Sequence, residues 1–598
     1  MKYNVREGDY RTMGAVVRSD GVVFTFEGRK EQKCSIVLYE KKTGKIGKIP
    51  VPDTYYVGAL RSIMVMGIEP ASFDYNFEID GKVMTDPYAR RIVGREKWGE
   101  KERFGMDYQV KSGFSTDVFD WEEDVAPEIA KKDMVMYKLH VRNFTMEGSN
   151  GGARKGTFEA VENRIGYLRD MGVTTVEFMP FYEFEELMIP ETCELPDYVT
   201  WKEEQKTDTK KLPEVEKINC WGYTEGNYFA PKAAFTKSRQ PEHALKSLIK
   251  ALHKNDMECI MEIYFPDTIN QNLMLEALRF WVMEYHVDGF RLMGANLPVR
   301  AMAQDLILCR SKLFADTIPE DLLEQDYAYP HLFVYRDEFY YPLRKMLNHK
   351  EICLTDFVNQ MRKQKKYAGF VNYAASNDGF TLADVFMYSE KHNEANGENN
   401  ADGNDWNYSD NYGIEGPTRK KYIESLRKKQ LRNAITAVFL AQGIPLLAAG
   451  DEIGNSQRGN NNAYCQDNKT GWINWKKSAG MEALQEFVQK LAIFRKAHPV
   501  IRKAEPMHLN DYQHKGCPDL SYHSDNAWAA GLPEEKGAFG VMYCGDYAVN
   551  DAGEPDDMVY IGYNFHTGVN ELALPKLAGK KKWYVVMDTA EQEYVFLP

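Results

Sequence analysis

The fold is decided by Cys259-Ile-Met-Glu-Ile-Tyr-Phe265, the segment Leu273–Tyr285, and Val287-Asp-Gly-Phe-Arg-Leu292. The first is a nearly continuous apolar run, which suits a strand buried on both faces, as strands of parallel sheets are. The second has the length and pattern of a helix, and it feeds the third, another apolar run. Strand, helix, strand is one βα repeat, and the pattern continues on both sides. Upstream, the expected elements are a helix at His243–Lys254 and a strand at Val173–Met179. Before those, Phe158, Val161, Ile165 and Leu168 recur at helical spacing, preceded by a strand at Met134–Val141. Downstream, a helix leads into Lys312–Asp316, and further strands are expected at Phe370–Ala375 and Pro445–Ala449. Repeated βα units over about 350 residues imply a parallel sheet, and a closed (β/α)8 barrel is the commonest solution at that size.

The flanks have a different texture. Gly21–Phe26, Cys34–Tyr39 and Phe73–Ile79 alternate apolar with polar residues, separated by Gly, Asp and Lys turns, which predicts an N-terminal β-sandwich. Past residue 505 the β texture returns, with strand-like Val559–Asn564 and Trp583–Met587, so a C-terminal sandwich is expected. The expected division is residues 1–115, 116–504 and 505–598. Glu185–Lys217 is a charged insertion after the second barrel strand, and Lys391–Asn411 is rich in Asn, Gly and Asp.

A chain of 598 residues exceeds one compact core and calls for two to four domains. Its net charge of −13 argues against a nucleic-acid partner, while leaving a neutral sugar polymer open. Aromatic residues make up 13% of the chain; they would suit sugar stacking, although a large barrel buries many aromatics in any case. No apolar segment approaches the roughly 18 residues of a membrane span, and the N-terminus has no signal-peptide core. The nine cysteines are scattered without the spacing of a metal site. That pattern predicts reduced thiols, a cytoplasmic location, and neither metal nor organic cofactor.

Asp80–Arg90, Tyr137–Thr145, Gly172–Pro180, Trp221–Phe229, Asn377–Leu382, Lys391–Glu398, Gly450–Gly454 and Gln457–Asn468 together resemble glycoside hydrolase family 13, in its isoamylase and glycogen-debranching branch. Asp80-Gly-Lys-Val-Met-Thr-Asp-Pro-Tyr-Ala-Arg90 is similar to the end of the family 48 carbohydrate-binding modules that precede such barrels. Tyr137–Thr145, Gly172–Pro180 and Trp221–Phe229 resemble the barrel's opening motifs. Asn377–Leu382, Lys391–Glu398, Gly450–Gly454 and Gln457–Asn468 follow in the family's order, and the last block is similar to glycogen-debranching enzymes in particular. Relatives tend to carry a Trp in the N-terminal module near Thr54–Arg61, and this chain has none there.

Retaining glycoside hydrolysis needs two carboxyl groups roughly 5–5.5 Å apart, a nucleophile and a proton donor, at the C-terminal ends of different strands. The resemblance places the nucleophile after the fourth strand, where the chain reads Asp288-Gly-Phe-Arg-Leu-Met293. Met293 therefore occupies the nucleophile position, and a thioether cannot do the work of a carboxylate. The proton donor aligns with Asp316, one methylene shorter than the family's glutamate. The third carboxylate, Asp378, and the sugar-binding Arg291 are retained, as is Tyr223, expected beneath the reacting sugar. The two sugar-binding histidines are replaced by Asp267 and Asn377, with Pro266 where the family has asparagine. Glu262 and Trp221 complete the expected substrate-binding set.

Three functions compete. An intact scaffold around a depleted site predicts a pseudoenzyme that binds α-glucan (glycogen, amylopectin or malto-oligosaccharide) or partners an active glucan-metabolising enzyme. The surviving carboxylates motivate an active α-1,6-glucan debranching hydrolase with a rebuilt site. The altered histidine positions motivate an assembly protein that has lost sugar binding. The Asp451-Glu452 pair after the eighth strand invites a catalytic reading, but the resemblance implies a structural one.

Overall fold

The computed structural model describes residues 3–101, 110–115, 118–148, 154–188, 217–528, 531–579 and 581–590. Most of the charged insertion expected at Glu185–Lys217 lies outside them. At the centre, eight parallel strands close into a barrel: β1 (Met136–Leu139), β2 (Thr175–Phe178), β3 (Glu258–Tyr264), β4 (Gly289–Met293), β5 (Lys312–Ala315), β6 (Leu332–Tyr335), β7 (Gly369–Asn372) and β8 (Ile444–Ala448). β8 pairs back onto β1 through Met136 opposite Leu446, so no strand edge is left open.

β6 is the barrel strand that sequence patterning missed. Leu332-Phe-Val-Tyr335 is only four residues long, and the helix behind it, Asp337–Leu347, carries Pro342 in its interior. A short apolar run before a proline-bearing segment gives no βα signature, because proline usually ends a helix.

The barrel interior is layered by the two-residue period of its strands. Met136 (β1), Ile260 (β3), Phe314 (β5), Phe333 (β6), Val371 (β7) and Ile444 (β8) belong to one buried apolar cluster. Two residues further along β1 and β3 stand Lys138 and Glu262, and β2 and β4 contribute Glu177 and Arg291 beside them. The register pairs Lys138 with Glu177 and Glu262 with Arg291. All four are buried. An apolar floor thus carries a charged layer just below the mouth.

The N-terminal region is two antiparallel sheets facing a common core that includes Phe24, Ile36, Leu38, Ile63, Tyr75 and Phe77. In the motif resembling a carbohydrate-binding module, Asp86 is buried and accepts the Tyr75 hydroxyl at 2.7 Å and the Tyr88 amide at 2.8 Å. The C-terminal region contributes a small three-stranded antiparallel sheet, Leu520–His523, Ala538–Tyr543 and Val559–Asn564. Trp583–Met587, expected as a strand, is irregular. Among the described residues it has no pairing strand, and Trp583 donates from Nε1 to the Pro575 carbonyl.

Among the described residues, no helix is long and apolar enough to cross a membrane.

Candidate functional site at the barrel mouth

β4 ends in Arg291-Leu292-Met293, which places Arg291 and Met293 on the same face, one layer apart. The chain turns at once through Gly294, whose φ of +139° and close approach to the Phe265 carbonyl (2.3 Å from a hypothetical Cβ) exclude a side chain. Met293 and Asp316 line a cavity of about 790 Å³, together with Leu297, Pro298, Val299 and Thr317. At the opposite end of β4, Asp288 accepts the Cys259 amide at 2.7 Å and pairs with His253 Nε2 at 3.0 Å, fastening the bottom of the barrel.

The charged layer is tightly committed. Lys138 Nζ lies 2.5 Å from Glu262 Oε1 and 3.7 Å from Glu177 Oε1. The Tyr223 hydroxyl donates to Glu262 Oε2 at 2.6 Å, and Asn377 Nδ2 donates to the Tyr223 oxygen at 3.2 Å. Tyr335 donates its hydroxyl to Glu177 Oε2. Burial pushes the Glu177 carboxyl up, opposed by Lys138 and reinforced by Glu262. Burial also acts to raise Glu262, but the Lys138 ammonium and the Tyr223 hydroxyl outweigh it and hold that carboxyl down. The two neighbouring acids are therefore pushed apart, Glu177 up and Glu262 down, as expected when like charges are crowded.

Arg291 donates from Nη2 to Asp316 and stacks its guanidinium over the Tyr335 ring at 3.8 Å. Its Nε and Nη1 are buried without a hydrogen-bond partner. Met293, two residues along the same face, offers them only a weak sulfur acceptor.

The structure divides the expected residues into three groups. Tyr223, Glu262 and Asn377 form one hydrogen-bonded chain, and Arg291 and Asp316 form an ion pair. Asp378 is exposed at the mouth, close enough that its charge acts on Lys138 and Tyr223. Two residues stand apart. Asp267 is exposed beyond the end of β3, with no hydrogen bond to that chain among the described residues. Trp221 is only 7% exposed and packs edge-on against Tyr223 (5.9 Å) and Tyr464 (6.4 Å), so it is a pillar behind Tyr223 instead of a sugar platform. Glu262 likewise cannot serve as a replacement nucleophile, because it is fully buried and ion-paired.

Sequence reasoning missed Lys138, Glu177 and Tyr335, which the barrel gathers from β1, β2 and β6. A charged residue at alternate positions of otherwise apolar strands was the available signal. It also missed Asp337, which accepts the Tyr373 hydroxyl at 2.5 Å. Partial desolvation raises the Asp337 carboxyl, and the charges of Asp316 and Asp378 add to the effect while the Tyr373 bond opposes it.

The loops after β7 and β8 frame the mouth by pairing side-chain amides. Asn393 Nδ2 donates to Asn461 Oδ1 (2.8 Å), and Asn461 N returns a bond to Asn393 Oδ1 (2.9 Å). Asn396 Oδ1 accepts from Asn460 Nδ2 (2.9 Å) and Gln466 Nε2 (2.7 Å). The asparagine-rich composition of Lys391–Asn411 is thus an ordered lock between two loops. Asp451 and Glu452 are buried beneath it. Asp451 accepts the Ala448 and Leu382 amides, and Glu452 accepts the Tyr137 and Tyr167 hydroxyls, which is a structural role.

No family model matches the chain. Isoamylase 3 (chloroplastic) of Oryza sativa subsp. japonica is 27% identical over 632 residues, covering 92% of this chain and 76% of that protein. A glycogen debranching enzyme of Erwinia tasmaniensis is 26% identical over 592 residues, covering 83% and 85%. A pullulanase from Paenibacillus barengoltzii, solved in complex with maltohexaose and α-cyclodextrin, shares the fold with a TM-score of 0.66 at 20% identity, covering 96% of this chain and 91% of that one. The chain is thus similar over most of its length to isoamylase and glycogen-debranching proteins, on a fold it shares with a pullulanase.

Proposed function

We propose that the protein binds α-glucan, as glycogen, amylopectin or malto-oligosaccharide, at its barrel mouth without retaining hydrolysis. It then acts through that binding or by partnering an active glucan-metabolising enzyme in the cytoplasm. The observation that carries this reading is Arg291 with two orphaned donors beside Met293. Met293 stands where the resemblance places the nucleophilic carboxylate, and its sulfur is too weak an acceptor to take that carboxylate's place beside Arg291. Two of the remaining acids are committed elsewhere, Glu262 to Lys138 and Asp316 to Arg291, while Asp378 stays exposed. Losing a covalent nucleophile costs about a millionfold in a comparable hydrolase. Contacts shared by ground and transition states are separate from those that accelerate chemistry, so binding can outlast turnover. The curated relatives named above are an isoamylase and a debranching enzyme, and the pullulanase was solved with maltohexaose, which favours an α-glucan as ligand.

The test is calorimetric titration with maltohexaose beside reducing-end release from amylopectin, on the native chain and Met293→Asp. The native chain is expected to bind and to release nothing. The variant, which supplies Arg291 with an acceptor, is expected to gain hydrolysis. Hydrolysis by the native chain, or no binding at millimolar oligosaccharide, would overturn the reading.

One observation favours a second reading, a hydrolase rebuilt around Asp378. Asp337 is a raised carboxyl within the fields of Asp316 and Asp378, as a proton donor would require. On that reading Asp378→Ala abolishes a purified activity that the native chain possesses.

A further inference from the structure

Trp406 is 68% exposed, an unusual state for the largest apolar side chain, and the protein holds it there firmly. Its amide is fixed by Asn404 Oδ1 at 2.8 Å. The Asn404 carbonyl accepts Asn407 Nδ2 (2.7 Å) and Asn461 Nδ2 (2.7 Å). Arg344 grips the Asn407 carbonyl (3.2 Å), and Asn348 the Tyr408 carbonyl (2.8 Å). Tyr408 itself has φ +47°, a left-handed conformation that a bulky residue adopts only when its surroundings enforce it. The result is a Tyr408 ring lying 29° from parallel to Trp406, with centroids 6.5 Å apart. A clamped backbone with a strained residue, all to display an exposed indole, is structure spent on presenting a surface.

Buried ring contacts tie this exposed indole to the barrel mouth. Tyr408 meets Tyr341 at 5.8 Å, Tyr341 meets Tyr340 at 4.8 Å, and Tyr340 meets Tyr373 at 5.2 Å. Tyr373 meets Tyr335 at 5.6 Å, and Tyr335 lies beneath Arg291. The Tyr340 hydroxyl is 3.2 Å from where a Cβ on Gly379, the neighbour of Asp378, would stand. Polar groups border the rings throughout: Asn404 Nδ2 reaches the Tyr341 hydroxyl at 3.4 Å, and Lys345 Nζ lies 5.0 Å over Tyr408. A flat apolar face edged by amide and ammonium donors matches a pyranose ring, whose C–H face is apolar and whose hydroxyls ring its edge. A protein hot spot would instead sit in a well-packed pocket whose neighbours exclude water, whereas Trp406 stands open to solvent.

We propose that Trp406, backed by Tyr408, is an outer subsite that stacks one pyranose ring of an α-glucan chain whose inner part lies in the barrel mouth. The subsite rests on the glucan-binding reading above and extends it by setting a preference for chain length. A short oligosaccharide fills the mouth alone, whereas a longer one also reaches the indole.

The test is isothermal titration of the full chain and its Trp406→Ala and Trp406→Phe variants with maltotriose and maltoheptaose. Trp406→Ala is expected to weaken maltoheptaose by about tenfold, the scale of one aromatic stacking contact. It should leave maltotriose unchanged, and Trp406→Phe should recover part of the loss. Unchanged circular dichroism and thermal midpoint are expected for both variants, since the indole is exposed. If the native chain binds both sugars and Trp406→Ala alters neither, or weakens both equally, the outer subsite is refuted while the glucan reading stands. If the native chain binds neither sugar, both fall together.

Discussion

Lys138 is the residue on which the charged layer depends, and Lys138→Met is the perturbation that isolates its contribution. The lysine side chain is 7% exposed and Glu262 is 0% exposed, with 2.5 Å between their charged atoms. Methionine keeps most of the stem volume and removes the ammonium. Glu262 is then left as a buried anion with Tyr223 as its remaining donor, and Glu177 loses the cation that opposes its rise. Breaking a buried pair from one side costs about 3–5 kcal/mol, because the surviving charge is left uncompensated. The double variant Lys138→Met/Glu262→Gln removes both charges, and its amide oxygen can still accept the Tyr223 hydroxyl. Replacing both members of a buried pair is often close to neutral, so the double variant should regain most of the loss. The assay is urea unfolding followed by far-ultraviolet circular dichroism, with hydrogen exchange at the β1 and β3 amides to locate the effect. A single variant as stable as the native chain would refute the reasoning. So would a double variant no better than the single one, since the loss would then be of packing and not of charge.

Two further outcomes follow from the same geometry. Burial raises the Glu177 carboxyl, so the folded chain holds that proton more tightly than the unfolded chain does. Its contribution is whole below the ordinary carboxyl range and is lost as pH rises through the raised value; the depressed Glu262 contributes in the opposite sense, losing its share as pH falls. Glu177→Gln mimics the protonated form, so its urea midpoint should fall less than the native one between about pH 6 and 9, and parallel profiles would place the proton elsewhere. Asn461→Ala removes the amide that donates to the Asn404 carbonyl and to Asn407 Oδ1. It should cost about 1–3 kcal/mol and open Lys391–Asn411 to limited proteolysis, with unchanged cleavage counting against the amide lock.

The sequence alone determined the βα repeat, the three-part organisation and the identity of the residue at the end of β4. These were legible because they are local: a buried parallel strand is a continuous apolar run, and Met293 follows Asp288-Gly-Phe-Arg-Leu wherever the chain goes. β6 and the irregular Trp583–Met587 were misread for the complementary reason, since strand pairing is supplied by distant partners. Only the tertiary structure decided what the acids do. Glu262 looked free in sequence and became an ion-pair partner because barrel closure sets β1 and β3 on either side of β2, facing Lys138 across the interior. Trp221 offered an aromatic face in sequence and lost it to packing against Tyr223 and Tyr464. The asparagine-rich loop reads as mobile from composition alone and as ordered from the family resemblance; the structure orders it through amides 68 residues apart along the chain, Asn393 to Asn461. Burial and pairing are properties of what surrounds a side chain, and in a closed barrel those surroundings come from eight separate strands.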